Sequence, residues 1–254
     1  MHQFFSTCLL ATSVVAATFV LAAEVPAADP QPFQLEYEAH YRNLAASATR
    51  SLSQDAGSNS WRLHSVVELE LMGTTVVSIE ETSSFGWQDG APVSHDYSFT
   101  QKGLGSRERS LDFADDGSQV SFAVNEDTGV HALTAPAFDN LNSLLVLRKQ
   151  LALGTTDISF TVADRGELEV QHYQVVGEES LATPAGTFAT VHLQRIREAG
   201  NARTTDIWLA PAHDHVLVKL LQSEPDGDTI SLELLNGTLG GHAIGGAPVQ
   251  AAVH

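Results

Sequence analysis

Histidine gives this 254-residue chain its widest scope for chemistry, with eleven copies. His213-Asp214-His215 spaces two imidazoles at i and i+2. On a strand both would share a face and could chelate a divalent cation if a third ligand approached. The preceding Ala210-Pro211-Ala212 reads instead as a turn, which points both rings to solvent. His172 and His192 fall on predicted strands, where they either pair with carboxylates or sit as ordinary surface or core histidines. Glu80-Glu81, Asp115-Asp116 and Glu178-Glu179 are adjacent carboxylates. A strand splits such neighbours between opposite faces and a turn leaves them in water, so they are expected to be solvated. None forms the convergent pair of a glycosidase. The chain carries no G-x-S-x-G elbow, no G-x-x-x-x-G-K-[ST] loop and no G-x-G-x-x-G after a strand. No catalytic residue, cofactor or metal ligand is therefore predicted.

Whatever these side chains do, strands must position them. Phe33, Leu35, Tyr37, Ala39 and Tyr41 alternate with polar residues, the pattern of a half-buried strand. Trp61, Leu63, Val67, Leu69 and Leu71 repeat it with Ser65 interrupting, as do Val120, Phe122 and Val124, and Ile158, Phe160 and Val162. Asp115-Asp116-Gly117, Asp164-Arg165-Gly166 and Pro225-Asp226-Gly227-Asp228 separate such runs. Glycine after an acidic or polar residue supplies the positive φ of a tight hairpin. Three such turns at similar spacing imply an antiparallel meander.

One stretch breaks that rhythm. In D-N-L-N-S-L-L-V-L-R-K-Q-L, residues 139–151, Leu141, Leu144, Leu145, Arg148 and Leu151 follow the spacing of one helix face. Asp139 or Asn140 can cap its first turn, and Gly154 stands where a C-terminal stop belongs. About three turns of helix are predicted. One helix cannot bury its leucines alone, so the expected fold is mainly β. It is a curled antiparallel sheet, half-barrel or barrel-like, with one α-helix packed on the concave side. The helix is either a plug that fills the interior or a lid that gates an apolar cavity. Leu144, Leu145 and Trp208 are the residues expected to line any such cavity.

Composition narrows the setting. Thirteen Lys and Arg against 31 Asp and Glu give a formal charge of −18, which repels nucleic acid and anionic lipid surfaces. Residues 1–23 hold no Asp, Glu, Lys or Arg, and Leu9 to Ala23 is an apolar stretch ending at Ala22-Ala23-Glu24. That is the pattern of a secretory signal peptide, the alternative being an uncleaved anchor. Cys8, the one cysteine, lies inside it, leaving no thiolate ligand, disulfide or cysteine nucleophile beyond. A periplasmic location follows, with no stable membrane span after signal cleavage. Residues 24–32, with three prolines, form an extended leader; 33–236 form a single β-rich domain; and 237–254 are an uncharged Gly/Ala-rich tail expected to be disordered.

Several of these stretches carry a resemblance. Asp139-x-Leu141 through Leu147-Arg148, then Val176-Gly177-Glu178 leading to Leu181-Ala182-Thr183-Pro184-Ala185-Gly186-Thr187-Phe188, are joined by Trp208-Leu209-Ala210-Pro211 and the strand, Asp226-Gly227 turn and strand beyond. Over most of residues 33–235 the pattern resembles a secreted bacterial family known as domain of unknown function 3108. Asn142 stands where the family usually has serine, and Val216-Leu217-Val218-Lys219 lacks the proline often found before the basic residue. The resemblance implies an envelope location and a β-rich domain, and it implies no reaction. Pro184, Gly186 and Phe188 read physically as a structural corner, the alternative being that Gly186 lets a ligand approach the backbone.

The functional expectation is a non-enzymatic periplasmic domain that binds an apolar or lipid-like envelope ligand or an assembly partner protein. A histidine-dependent envelope hydrolase or metalloenzyme is one alternative, and a structural scaffold with a filled core is another. Cavity volume separates the carrier from the scaffold, because a ligand pocket occupies about 300 Å³ or more.

Overall fold

The computed structural model describes residues 29–42 and 44–247. The signal peptide read at residues 1–23, and the first part of the leader, lie outside them. Alternation along Phe33–Tyr41 produces β1, with Phe33, Leu35, Tyr37 and Ala39 all buried on one face. Hairpins carry the chain on through β2 (Leu44–Gln54), β3 (Ser60–Leu71), β4 (Thr74–Gln88) and β5 (Ala91–Gly103). The meander continues through β6 (Arg107–Phe113), β7 (Gln119–Val124) and β8 (Asp127–Ala132). After β9 (Ala137–Phe138) and α1 (Ser143–Ala152) a second meander begins. It comprises β10 (Asp157–Asp164), β11 (Glu167–Thr183), β12 (Gly186–Ile196), β13 (Thr204–Ala210), β14 (Val216–Ser223) and β15 (Thr229–Leu239). Antiparallel pairing of β1 with β15 fuses the two meanders into one sheet, and β9 adds in parallel at the β10 edge.

The sheet rolls until its ends meet. Arg109 of β6 donates Nη1 to Asp164 Oδ1 at 2.7 Å, and His131 of β8 lies 2.8 Å from the Gly166 carbonyl in the β10–β11 turn. Phe122 stacks on His131 with centroids 5.2 Å apart. Side chains, not a backbone ladder, thus close a barrel-like body around one core, with α1 on the concave side as the sequence predicts.

All three turns predicted from sequence are present. Arg165 and Gly166 both take positive φ (52° and 79°), the geometry of a type I′ hairpin turn. Asp139 caps the turn that leads into α1, its Oδ1 accepting the backbone N–H groups of Leu141 and Asn142 at 2.8 and 2.9 Å. At the other end Thr155 donates to the Gln150 carbonyl and Gly154 to that of Leu151, both at 2.9 Å, with Gly154 at φ 78°. Those two bonds make a Schellman stop. The helix is not one-faced, however. Leu145, Val146, Leu147 and Arg148 are consecutive and all buried, because α1 lies inside the rolled sheet and has neighbours on nearly every side.

As far as Ala247 the tail departs from the expectation of disorder, and residues 248–254 lie outside the described residues. Residues 237–239 continue β15, His242–Ala243 form β16 against it, and Ala247 bridges to Thr187. Ile244 is buried, which gives the segment an apolar anchor despite its glycines. The leader residues Asp29–Pro32 form no helix or strand, and the Pro32 carbonyl accepts the Gly240 N–H at 2.8 Å. Among the described residues no helix is long and apolar enough to cross a membrane.

Candidate functional site

Buried polar groups hold α1 inside the sheet. Asp139 is 0% exposed, and its Oδ2 accepts the Ser83 hydroxyl of β4 at 2.6 Å. Asn142 donates Nδ2 to Ser94 Oγ of β5 at 3.0 Å, and Ser94 donates onward to the Ala137 carbonyl at 3.1 Å. Two inward positions that would ordinarily be apolar thus carry hydroxyls that fix the approach to the helix. Burial pushes the Asp139 carboxyl up to about 7, against the opposing pull of its hydrogen bonds from Ser83, Asn142 and Leu141. On the other flank Arg148, 6% exposed, donates Nε to the Asp214 carbonyl at 2.8 Å and Nη2 to the Asp214 carboxylate. With both flanks tied down, α1 is a plug.

Beside the plug remains a cavity of about 180 Å³. Leu144 and Leu147 of α1 face Ile207, Leu217 and Leu220 across it. Its polar wall includes Arg50, Arg195, Gln171, Gln222 and Thr205, and among the described residues no Asp or Glu lines it. Arg50 pairs across the sheet with Leu35 and Ser65, both buried, so it stands on the inner face of β2. Arg195 meets Glu169 at 2.5 Å, while Arg197 donates to Thr205 Oγ1 at 2.9 Å. Burial, and then the Arg195 charge, push the Arg197 guanidinium down from its usual range. The Tyr37 phenol is pushed up to about 12 by burial, partly offset by the Arg50 and Arg148 charges. Arg50 also borders a second depression of about 520 Å³, shared with Leu35 and Ile244.

Of the residues expected to line a cavity, Leu144 does so. Leu145 is buried in the core and is not part of this wall. Trp208 lies on the opposite face of β13 from Ile207. It stacks on His192 with centroids 4.3 Å apart and donates Nε1 to Glu179 Oε1 at 2.5 Å. The run Ile207-Trp208-Leu209-Ala210 is apolar without alternation, and all four are buried, so its sequence says nothing of which side faces in.

His172, His192 and His213 each have a partner. His192 Nε2 is 2.9 Å from Asp206 Oδ1, with Nδ1 3.5 Å from Glu179 Oε1, and His172 Nε2 is 2.8 Å from Asp157 Oδ1. His213 meets the Phe188 ring edge-on at 5.6 Å while its neighbour Asp214 serves Arg148. Among the described residues no three His, Cys, Asp or Glu groups converge as a metal site requires. Glu81 corrects the expectation that the adjacent carboxylates are all solvated. It stands on the inner face beside Ser65 and accepts the Tyr97 hydroxyl at 2.5 Å, whereas Glu80 is exposed beside His64. Arg50, Arg195, Glu81 and the depth of Asp139 were missed by sequence reasoning. A usable signal existed for Arg50, since it shares the inner phase of β2 with the buried Ala48 and Leu52.

Residues 36–234 match the family described as "Protein of unknown function (DUF3108)". No curated protein matches the sequence. Among solved structures, the crystal structure of a beta-barrel-like protein of domain of unknown function DUF1849 from Brucella abortus matches with a TM-score of 0.54. Identity is 7%, and the match covers 84% of this chain and 99% of that one. The likeness is one of fold, a barrel-like rolled sheet.

Proposed function

This chain belongs to the DUF3108 family, and we propose that it is a non-enzymatic binding protein of the periplasm that takes a small ligand into the cavity beside α1. The observation that carries this reading is the 180 Å³ space walled by the apolar Leu144, Leu147, Ile207, Leu217 and Leu220 and by polar side chains among them. An apolar wall with a few converging polar groups is the usual make-up of a ligand pocket. The volume lies below the roughly 300 Å³ at which drug-sized pockets begin, so it favours a small molecule over a lipid. The periplasmic part rests on the apolar, uncharged run from Leu9 to Ala23 and on the Ala22-Ala23-Glu24 stop that ends it. Native mass spectrometry of the protein purified from separated periplasmic and cytoplasmic fractions of its own cells tests both parts. The expected result is a polypeptide beginning near Glu24 that carries a small extra mass, and Leu144→Trp, which fills the cavity, abolishes that mass. A bare polypeptide or a lipid-sized increment overturns the small-ligand reading, and retention in the cytoplasm overturns the location.

A second reading, a scaffold for an envelope protein, is favoured by the hairpin tips at one end of the barrel, where Met72 is 99% and Leu104 74% exposed. Met72→Asp is then expected to abolish a crosslink to the partner that the unaltered protein forms, and an undiminished crosslink argues against that surface.

A further inference from the structure

We infer that the ligand of this cavity is a small carboxylate with a short apolar tail, its anionic end held by Arg50 and its tail laid against Leu144 and Leu147. This rests on reading the cavity as a ligand site and adds the chemical class. In a chain with 31 acidic residues against 13 basic ones, an arginine finds a carboxylate easily. Of the ten arginines, Arg42, Arg109, Arg148, Arg165, Arg195 and Arg203 do, whereas Arg62 and Arg107 are exposed to solvent and Arg197 is held by Thr205. Arg50, turned inward, has no carboxylate within 4.0 Å among the described residues. Its nearest inward acid along the sheet is Glu81, beyond Ser65. Two strand spacings separate the backbones of Arg50 and Glu81 by about 10 Å, and the Glu81 carboxylate accepts the Tyr97 hydroxyl.

The rest of the wall agrees in sign. Among the described residues no acid lines the cavity, Glu169 offsets the charge of Arg195, and Arg197 stands behind Thr205 as a further cation. A guanidinium offers a planar fork that fits a carboxylate with two parallel hydrogen bonds. Gln171, Gln222 and Thr205 supply further polar contacts around it. The five apolar side chains that complete the wall distinguish such a ligand from bare phosphate, and the volume confines its tail to a few carbons.

The test is the thermal unfolding of the mature protein with hexanoate, hexan-1-ol, hexylammonium or inorganic phosphate at matched concentration and ionic strength. A ligand that binds only the folded state raises the midpoint as its concentration rises. Hexanoate is expected to do so and hexylammonium is not. Arg50→Met is expected to weaken hexanoate by about tenfold or more, the loss of a charge-assisted pair. Arg50→Lys retains part of the effect, and Leu144→Trp removes it by filling the space. If hexan-1-ol matches hexanoate, if phosphate alone suffices, or if Arg50→Met leaves the shift intact, the carboxylate assignment falls while the small-ligand reading stands. If no probe shifts the midpoint, both fall together.

Discussion

A carboxyl group that keeps its proton almost to neutrality makes stability fall as pH rises. Asp139 is held at about 7 by burial against an ordinary value of 3.8. Between those values the unfolded chain binds fewer protons than the folded one. The contribution of Asp139 to stability is therefore greatest below the ordinary value and declines by roughly 1.4 kcal/mol per pH unit up to about 7, then levels. Urea denaturation across that range should show this slope, and Asp139→Asn should flatten it; parallel curves for the two proteins would contradict the account. Arg148 and Asp214 offer an asymmetric pair, with side chains 7% and 42% exposed. Arg148→Met leaves an aspartate that water can still reach, whereas Asp214→Asn leaves a guanidinium buried without its countercharge. The second substitution should therefore cost more, on the order of 1–3 kcal/mol by chemical denaturation, and the reverse order would show that the pair is not what pins α1. That Asp139 caps the helix approach was legible from its place before a helical pattern. Its burial was not, because the pair of hydroxyls that receive the segment come from Ser83 and Ser94, far away in sequence.

Hairpins were the most legible elements, since an acidic residue and a glycine between alternating runs fix a turn locally. Inward phase was legible wherever alternation was clean, as in β1, and lost wherever both faces are covered, as at Trp208. The tail was misjudged for a related reason: its glycines suggested freedom, but in the fold they permit close approach. Gly186 takes φ 120°, and a Cβ there would lie 2.9 Å from Gly246 backbone atoms. What approaches the backbone at this corner is the chain's own segment ending in Ala247. Gly186→Ala should lift that strap, so amide exchange at residues 244–247 should quicken while the barrel's amides hold. Unchanged exchange there would mean that the strap tolerates a methyl group.

For the whole molecule the sequence led to the right class, a curled antiparallel sheet with one helix, because hairpin-by-hairpin logic adds up when nearly all neighbours are sequential. It could not reveal the ladder between β1 and β15, whose partners are the ends of two separate meanders. That ladder predicts that the chain can be divided between β8 and β9, at residues 133–136, into two pieces that associate when produced together. Co-purification of the two halves is expected, and two soluble halves that ignore each other would be evidence against it. The same ladder sets an order of events at birth. Asn236 reaches Glu36 at 2.7 Å across a sequence separation of 200, so the first of the described strands to emerge waits for almost the last. Throughout that interval one flank of β1 shows its unanswered amides and carbonyls to any passing strand. An escort for this protein would be needed at that moment, before the barrel exists, and would have nothing left to hold once β15 has arrived.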